Sequence, residues 1–237
     1  MKKNPTKLSP QFYLKQVQAR FEAEGRPEVA EQQMRYMRNQ FEFYGLKAPV
    51  WMPLCKEMFA TYGLLDGEAL KTFVRLCYED DHREIHYLAT EMAQKNLRKQ
   101  SPDFIYFLEE MIQLKSWWDT VDWISKLVFQ HLRRHPDLTQ PVTEAWMNSG
   151  NIWLQRVAII FQRYGKAEID EKMLFNYILR VADSTEFFLQ KGAGWALRDY
   201  SKVKPEAVVR FIEENKLPAL TKREGLKWLK NKGRMNK

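Results

Sequence analysis

Hydrophobic residues recur at three- and four-residue steps through most of the chain, the spacing that places them on one face of an α-helix. Alternating hydrophobic and polar positions, and dipeptides that form tight hairpins, are nearly absent. The pattern therefore predicts an all-α fold. Helix boundaries are indicated by Ser-Pro-Asp at residues 101–103, by a capping-box sequence at residues 221–224, and by Pro136, Pro205 and Pro218 between helices.

The predicted helices group into pairs at a fixed period. The second helix of each pair is predicted to begin near residues 82, 117, 151, 186 and 221, so successive starts lie 34 or 35 residues apart. Such regularity is typical of a helical solenoid, in which stacked pairs bury a continuous core and the second helices line a concave surface. A first pair near residues 9–24 and 28–41 falls outside this register, and an extra helix around residues 49–61 would account for the difference.

We therefore predict a single domain over residues 1–237, a superhelical solenoid of about six antiparallel helix pairs. Residues 1–8 are predicted to form a flexible extension and residues 232–237 a basic tail.

Composition limits the partners and the location. The 38 basic and 30 acidic residues give a net charge of +8, which favours an anionic partner such as nucleic acid or a membrane surface. Cys55 and Cys77 match no zinc or redox spacing, so we expect two reduced core residues of a cytosolic protein. No apolar run approaches the roughly 20 residues of a membrane span, and no secretory signal follows the basic N-terminus. The sequence predicts a soluble, cytoplasmic protein.

Residues 115–122 (KSWWDTVD) place a tryptophan and a carboxylate four residues apart at a predicted helix start. At helical pitch Trp118 and Asp122 share a face, and an indole beside an anion suits a cationic ligand. Structural roles compete, because most tryptophans are core residues and a carboxylate in the first helical turn is stabilised by the helix dipole. The dipole accounts for Asp119 better than for Asp122, which would instead stabilise developing positive charge, as in cleavage through an oxocarbenium-like state.

Arg156 and Trp195 follow Asp122 at intervals of 34 and 39 residues, about one repeat each. Arg156 lies in a strongly apolar helix, so an ion pair with Asp122 and the binding of a phosphate are both open. Trp195 follows Gly192 and Gly194, each of which weakens a helix by roughly 1 kcal/mol. These glycines indicate close approach of another backbone or of a ligand, and dense helix packing explains them equally well.

Histidine pairs at helical spacing raise the question of a metal site. His82 and His86, like His131 and His135, are four residues apart, but no third ligand is signalled and Glu84 lies on the wrong face for a zinc protease motif. We expect no metal. The sequence also shows no glycine-rich phosphate loop, nucleophile elbow or cysteine–histidine pair, and we expect no cofactor.

Basic side chains on the second helices would make the concave surface electropositive, which fits the backbone of a nucleic-acid duplex. Several basic positions are predicted to contact DNA: Arg35, Arg38, Arg83, Lys191, Arg198, Lys222 and Arg223.

Three separated segments carry a resemblance to a known family. Residues 116–122 (SWWDTVD), 151–156 (NIWLQR) and 194–198 (GWALR) closely resemble signature segments of the AlkD-like DNA alkylation repair glycosylases, which are built from HEAT-like repeats. The resemblance covers nearly the whole chain. It implies a single HEAT-like repeat domain and a monofunctional glycosylase of base excision repair that releases cationic N3- and N7-alkylated purines from duplex DNA. A monomer can act in this way.

The resemblance also assigns roles by position. It implies that Asp122 is the catalytic carboxylate, that Trp118 and Trp195 flank the lesion nucleotide, that Arg156 is a DNA-contacting residue of the site, and that Tyr36 contacts the backbone. No lysine stands out as a Schiff-base nucleophile, so strand cleavage is not expected.

Two other classes remain open from the residues. A non-catalytic helical-repeat module would bind DNA or another acidic partner through the same surface without base release. A peptide-binding armadillo-type scaffold would favour asparagine ladders over a tryptophan–carboxylate pair. Whether a target base flips out of the duplex is also open.

Overall fold

The computed structural model describes residues 9–233, and within them the regular elements are helical apart from one isolated bridge between Glu42 and His82. The predicted all-α class is confirmed. The chain divides after Ser101 into two compact units. The predicted single domain stays a prediction. The predicted extension at residues 1–8 lies outside the described residues, as does the predicted tail beyond residue 233.

The first unit contains the predicted first pair, the extra helix and the next pair. Here α1 (Pro10–Ala23) packs against α3 (Ala48–Tyr62) and α4 (Gly67–Glu79), and α4 packs against α5 (Arg83–Asn96). The extra helix predicted around residues 49–61 is therefore confirmed as α3. The helices of this unit are α1 (Pro10–Ala23), α2 (Pro27–Tyr36), α3 (Ala48–Tyr62), α4 (Gly67–Glu79) and α5 (Arg83–Asn96).

A buried carboxylate fixes the loop between α2 and α3. Glu84 Oε1 accepts hydrogen bonds from the backbone N–H groups of Gly45 and Leu46 at 3.0 and 2.9 Å, and Oε2 accepts from that of Tyr44 at 3.1 Å. Burial raises the pKa of Glu84, and the backbone donors oppose that rise. The His82 ring stacks on Tyr44 at 3.9 Å. The chain that follows α2 is thus held against the start of α5.

The second unit consists of four helix pairs within the described residues. Its second helices are consecutive neighbours, because α7 (Trp118–Leu132) packs on α9 (Ile152–Ile160), α9 packs on α11 (Phe187–Tyr200), and α11 packs on α13 (Ala219–Asn231). The unit contains α6 (Phe104–Gln113), α7 (Trp118–Leu132), α8 (Thr139–Asn148), α9 (Ile152–Ile160), α10 (Glu171–Arg180), α11 (Phe187–Tyr200), α12 (Pro205–Glu214) and α13 (Ala219–Asn231).

The predicted starts of the second helices agree with the structure. Four of them, α5, α7, α9 and α11, begin within one residue of the predicted position, and α13 begins two residues early, at Ala219. The predicted repeat of helix pairs is confirmed. The predicted capping box is wrong, because Pro218 is the N-cap of α13. Thr221 lies inside that helix, where its hydroxyl donates to the Gln190 carbonyl at 3.0 Å.

Glycine allows α11 and α13 to approach closely. A Cβ atom at Gly194 would lie 2.6 Å from the Cβ of Glu224 and 2.9 Å from the carbonyl oxygen of Thr221. This position therefore has no room for a side chain. The close approach predicted from this glycine is confirmed, and the neighbour is a helix.

No helix in the described part of the chain is both long and apolar enough to cross a membrane.

Candidate active site

Asp122 and Arg156 form an ion pair between neighbouring second helices. Each is the fifth residue of its helix, α7 or α9. Arg156 Nε donates to Asp122 Oδ1 and Nη2 donates to Oδ2, both at 2.8 Å. This side-on arrangement is the strongest geometry that the two groups can adopt. The sequence left two alternatives open for Arg156, an ion pair with Asp122 and the binding of a phosphate. The structure confirms the ion pair.

The start of α9 is fixed locally, which sets the position of Arg156. The Asn151 side chain caps the helix by accepting from the backbone N–H groups of Trp153 and Leu154 at 2.9 and 3.3 Å. In contrast, Ser116 does not cap α7, because its hydroxyl donates to the Ile112 carbonyl at 2.7 Å. The N-cap residue of α7 is Trp117.

The guanidinium of Arg156 makes a third hydrogen bond, to a second partner. Its Nη1 donates to the Phe188 carbonyl at 2.5 Å. A Cβ atom at position 192 would lie 2.9 Å from this nitrogen, so Gly192 leaves the space that the guanidinium fills. The Arg156 side chain is only 4% exposed and that of Asp122 is 14% exposed. The Asp122 side chain is thus partly exposed, whereas Arg156 is buried and directs its nitrogens to protein acceptors. The contact of Arg156 with DNA stays a prediction.

Aromatic side chains cluster at the starts of three second helices. The Phe188 ring lies 5.1 Å from that of Trp117 and 4.8 Å from that of Trp153, measured between centroids. The exposed ring of Phe187 lies against Phe188 at 5.3 Å. Trp117 therefore packs against aromatic rings at the starts of α9 and α11. The sequence analysis did not assign the two phenylalanines to the site.

Trp118 is the first residue of α7, one helical turn before Asp122, and it is half-buried. Its predicted role beside a lesion nucleotide is untested and stays a prediction.

The indole of Trp195 is covered on one face by Arg163. The guanidinium carbon lies 3.2 Å from the ring centroid. Its Nε donates to Asp199 Oδ2 at 2.7 Å, and Nη2 lies 2.5 Å from the same oxygen in an ion pair. Burial lowers the pKa of Arg163, and the charge of Asp199 opposes that shift. Next along the chain, the Tyr164 hydroxyl donates to the Asp122 carbonyl at 3.3 Å. Sequence analysis missed Arg163 and Asp199, although Asp199 lies four residues after Trp195 and so on the same helix face.

A buried carboxylate organises two of the predicted DNA contacts. Glu224 Oε1 pairs with Lys191 Nζ at 2.8 Å, and Oε2 accepts from Arg198 Nη1 at 3.0 Å. The hydrogen bond from Lys191 lowers the pKa of Glu224. Nearby, Lys222 is half-buried and Arg223 is exposed. These four basic residues lie on adjacent helices, α11 and α13.

The predicted contacts of the first unit differ in accessibility. Tyr36 is 70% exposed at the end of α2, Arg35 is exposed and paired with Glu31 at 2.5 Å, and Arg38 is exposed with a φ of 56°. These positions suit contact with a partner, and their roles stay predictions.

The prediction that Arg83 contacts DNA is wrong for this structure. Its side chain is fully buried, its Nη1 donates to His86 Nδ1 at 3.0 Å, and its guanidinium carbon lies 3.8 Å from the centroid of the Phe41 ring. A side chain enclosed in this way cannot reach a phosphate. Its role is to join α5 to the loop that contains Phe41.

Comparisons with known proteins identify a family and similar solved structures. Residues 17–229 match the family model described as DNA alkylation repair enzyme. A solved structure described as a predicted DNA alkylation repair enzyme from Enterococcus faecalis is 30% identical, with a TM-score of 0.82 over 86% of this chain and 96% of that chain. The solved structure of AlkD2 from Streptococcus mutans is 19% identical, with a TM-score of 0.58 over 84% of this chain and 96% of that chain. At this identity the similarity concerns the fold only. A search of curated proteins gave no match.

Proposed function

The chain belongs to the family of DNA alkylation repair enzymes, and we propose that it acts in that repair as a monofunctional DNA glycosylase. Its proposed substrates are cationic N3- and N7-alkylated purines in duplex DNA. Its proposed reaction is hydrolysis of the bond between the purine and C1′ of the deoxyribose.

The observation that carries this proposal is the carboxylate of Asp122, which is fixed at both oxygens in a side chain that is not fully buried. An alkylated purine already bears a positive charge, so it leaves readily and needs little protonation by a general acid. Positive charge then develops on the sugar at C1′. A carboxylate that is already oriented stabilises that charge and directs the attacking water without having to reorganise.

Arg156 supports this role by holding the anion in place. Both Asp122 oxygens keep a second lone pair beyond the bond from Arg156, so each can accept a further hydrogen bond from water. Arg156 is therefore a residue that orients the catalytic group, in addition to its predicted contact with DNA.

The tryptophans are proposed to contact the lesion nucleotide. Stacking and cation–π attraction contribute about 0.5–2 kcal/mol per contact. Because Arg163 covers one face of Trp195, only the other face or the ring edge is open to a nucleotide. Trp118 is proposed to lie on the other side of the reacting sugar.

DNA binding is proposed to involve the exposed and half-exposed basic residues of both units together with Tyr36. Such contacts bind phosphates and release counterions, so affinity should fall steeply as salt rises. The proposed set is Arg35, Arg38, Lys191, Arg198, Lys222 and Arg223.

The test is release of 7-methylguanine from methylated duplex DNA under single-turnover conditions, with the freed bases separated by chromatography. Asp122→Asn keeps the shape of the side chain and removes the charge, so we expect the rate to fall by about 100- to 1000-fold while DNA binding survives. Asp119→Asn is the matched control in the same helix, and it should retain excision. A wild-type rate for Asp122→Asn would refute the catalytic role.

The same assay separates the competing classes. Binding of alkylated DNA by the wild-type protein without base release would favour the non-catalytic helical-repeat module. Trapping of a protein–DNA adduct with borohydride would contradict a monofunctional enzyme, since it requires a Schiff base.

A further inference from the structure

Arg163 lies over the indole of Trp195, although the two residues belong to different elements. Arg163 is in the 3₁₀ segment Phe161–Glu168, and Trp195 is in α11. The guanidinium carbon is 3.2 Å from the ring centroid, well within the range of a cation–π contact. The Arg163 side chain is only 10% exposed. The indole therefore cannot turn toward this side without displacing a buried cation.

Asp199 holds Arg163 in that position. It lies one helical turn after Trp195 on α11, and its Oδ2 accepts a hydrogen bond from Nε of Arg163 and forms an ion pair with Nη2. The other oxygen, Oδ1, pairs with Lys202 Nζ at 2.5 Å. Since Nε and Nη2 lie on one edge of the planar group, these two contacts with one carboxylate restrict how the guanidinium can turn over the indole.

The arrangement leaves one donor unused. Nη1 of Arg163 is buried, and it has no hydrogen-bond partner among the residues that the structure describes. A buried donor without an acceptor is a cost to stability. An arginine that served only to join the 3₁₀ segment to α11 would carry this cost without a return. A requirement for a planar cation on the indole face explains why the residue at position 163 is an arginine.

We propose that Arg163, held by Asp199, is a positioning residue that fixes the orientation of Trp195 for the proposed glycosylase reaction. The inference rests on that proposed function. Arg163 makes no hydrogen bond to the carboxylate of Asp122, and its proposed effect on the reaction passes through the indole of Trp195. It also decides which face of Trp195 a nucleotide can use.

The test compares Arg163→Lys with a matched variant elsewhere in the same unit. Lysine keeps the charge and can pair with Asp199, but it lacks the planar group that stacks on the ring. The control is Arg180→Lys, because Arg180 also pairs with a carboxylate, that of Glu144, and lies over a ring, that of Tyr177. Both variants would be compared by thermal unfolding, excision of 7-methylguanine, and binding to duplex DNA with an abasic-site analogue.

We expect Arg163→Lys to lower the single-turnover excision rate roughly tenfold to hundredfold, the range that follows from a displacement of about 1 Å in a reacting complex. Binding to the analogue should change much less. Arg180→Lys should excise at the wild-type rate. In a Trp195→Phe background, Arg163→Lys should cause no further loss, because two residues that act through one contact are not additive.

A spectroscopic readout tests the orientation itself. With 5-fluorotryptophan incorporated, the Trp195 resonance among the eight tryptophans can be assigned by its loss in Trp195→Phe. Arg163→Lys should shift or broaden that ¹⁹F resonance, and Arg180→Lys should leave it unchanged. An unchanged resonance, a wild-type excision rate, or losses that add in the Trp195→Phe background would overturn the proposal. Absence of base release by the wild-type protein would overturn the proposed function, while the resonance would still decide whether Arg163 orients Trp195.

Discussion

A methyl group added at position 192 probes how tightly the guanidinium of Arg156 is confined. In Gly192→Ala the new Cβ atom would lie 2.9 Å from Arg156 Nη1 and 3.4 Å from Ile160 Cγ2. Optimal separations between such atoms are about 3.5–4.0 Å, so the guanidinium must move. Its displacement breaks the bond from Nη1 to the Phe188 carbonyl. It also disturbs the two bonds that hold Asp122.

Two effects on stability oppose each other in this variant. Loss of a hydrogen bond from a charged donor costs about 1.5–3 kcal/mol, and alanine in place of glycine within a helix regains about 1 kcal/mol. The free energy of unfolding should therefore fall by about 0.5–2 kcal/mol. Each kcal/mol lowers the melting temperature of a chain of this size by about 2–4 °C. Excision should fall further, by as much as about 100-fold, because a shift of about 1 Å in the orienting group displaces the carboxylate.

Gly194→Ala is the matched control on the same helix. Its Cβ atom would meet the Cβ of Glu224 and the backbone of Thr221, so α13 itself must shift. Overpacking of this kind costs about 1–3 kcal/mol, and excision should fall only in proportion to the unfolded fraction. Thermal unfolding and single-turnover release of 7-methylguanine, at a temperature where both variants are folded, separate the two outcomes. A wild-type excision rate for Gly192→Ala would show that confinement of the Arg156 guanidinium is not needed to orient Asp122.

Two further predictions concern charge. In salt titrations of DNA binding, Arg223→Ala should reduce the slope of log affinity against log salt concentration by about 0.9. Arg83→Lys should leave that slope unchanged and lower the melting temperature. A reduced slope for Arg83→Lys would show that Arg83 contacts DNA after all. Because the bond from Lys191 lowers the pKa of Glu224, the stability from this pair is present above the ordinary pKa of 4.5 and is lost as pH falls through the lowered pKa. At about pH 6, Glu224→Gln should therefore be less stable than the wild-type protein by roughly 1–3 kcal/mol and should melt at a lower temperature. The difference in melting temperature should narrow toward about pH 3, and a difference that does not change with pH would contradict this role.

The features that follow from periodicity could be predicted from the sequence. Helix starts at α7, α9 and α11 were predictable because the hydrophobic spacing repeats and the connections are short. The pairing of Asp122 with Arg156 could be predicted as one of two alternatives, because residues one repeat apart lie at the same level of neighbouring helices. Choosing between the ion pair and a phosphate contact required the position of the Phe188 carbonyl, which no local pattern contains.

Burial of single polar residues could not be predicted in the same way. Arg83 and Arg223 both occur near the start of a second helix, but only Arg83 is enclosed, by Phe41 and His86. Glu224 matched a capping box locally, yet it is enclosed between two cations of α11. In each case the deciding contacts come from residues distant in sequence.

Asp122 and Arg156 occupy the same ordinal place in their helices, and this makes the site sensitive to slippage. One residue inserted into the first turn of α7 would rotate every later side chain by about 100°. The carboxylate of Asp122 would then point away from Arg156 even if α7 still formed a complete helix. A loop between α12 and α13 can gain or lose residues without altering that angle. Evolutionary change in chain length is thus tolerable at the joints of this array and excluded within the opening turns of α7 and α9.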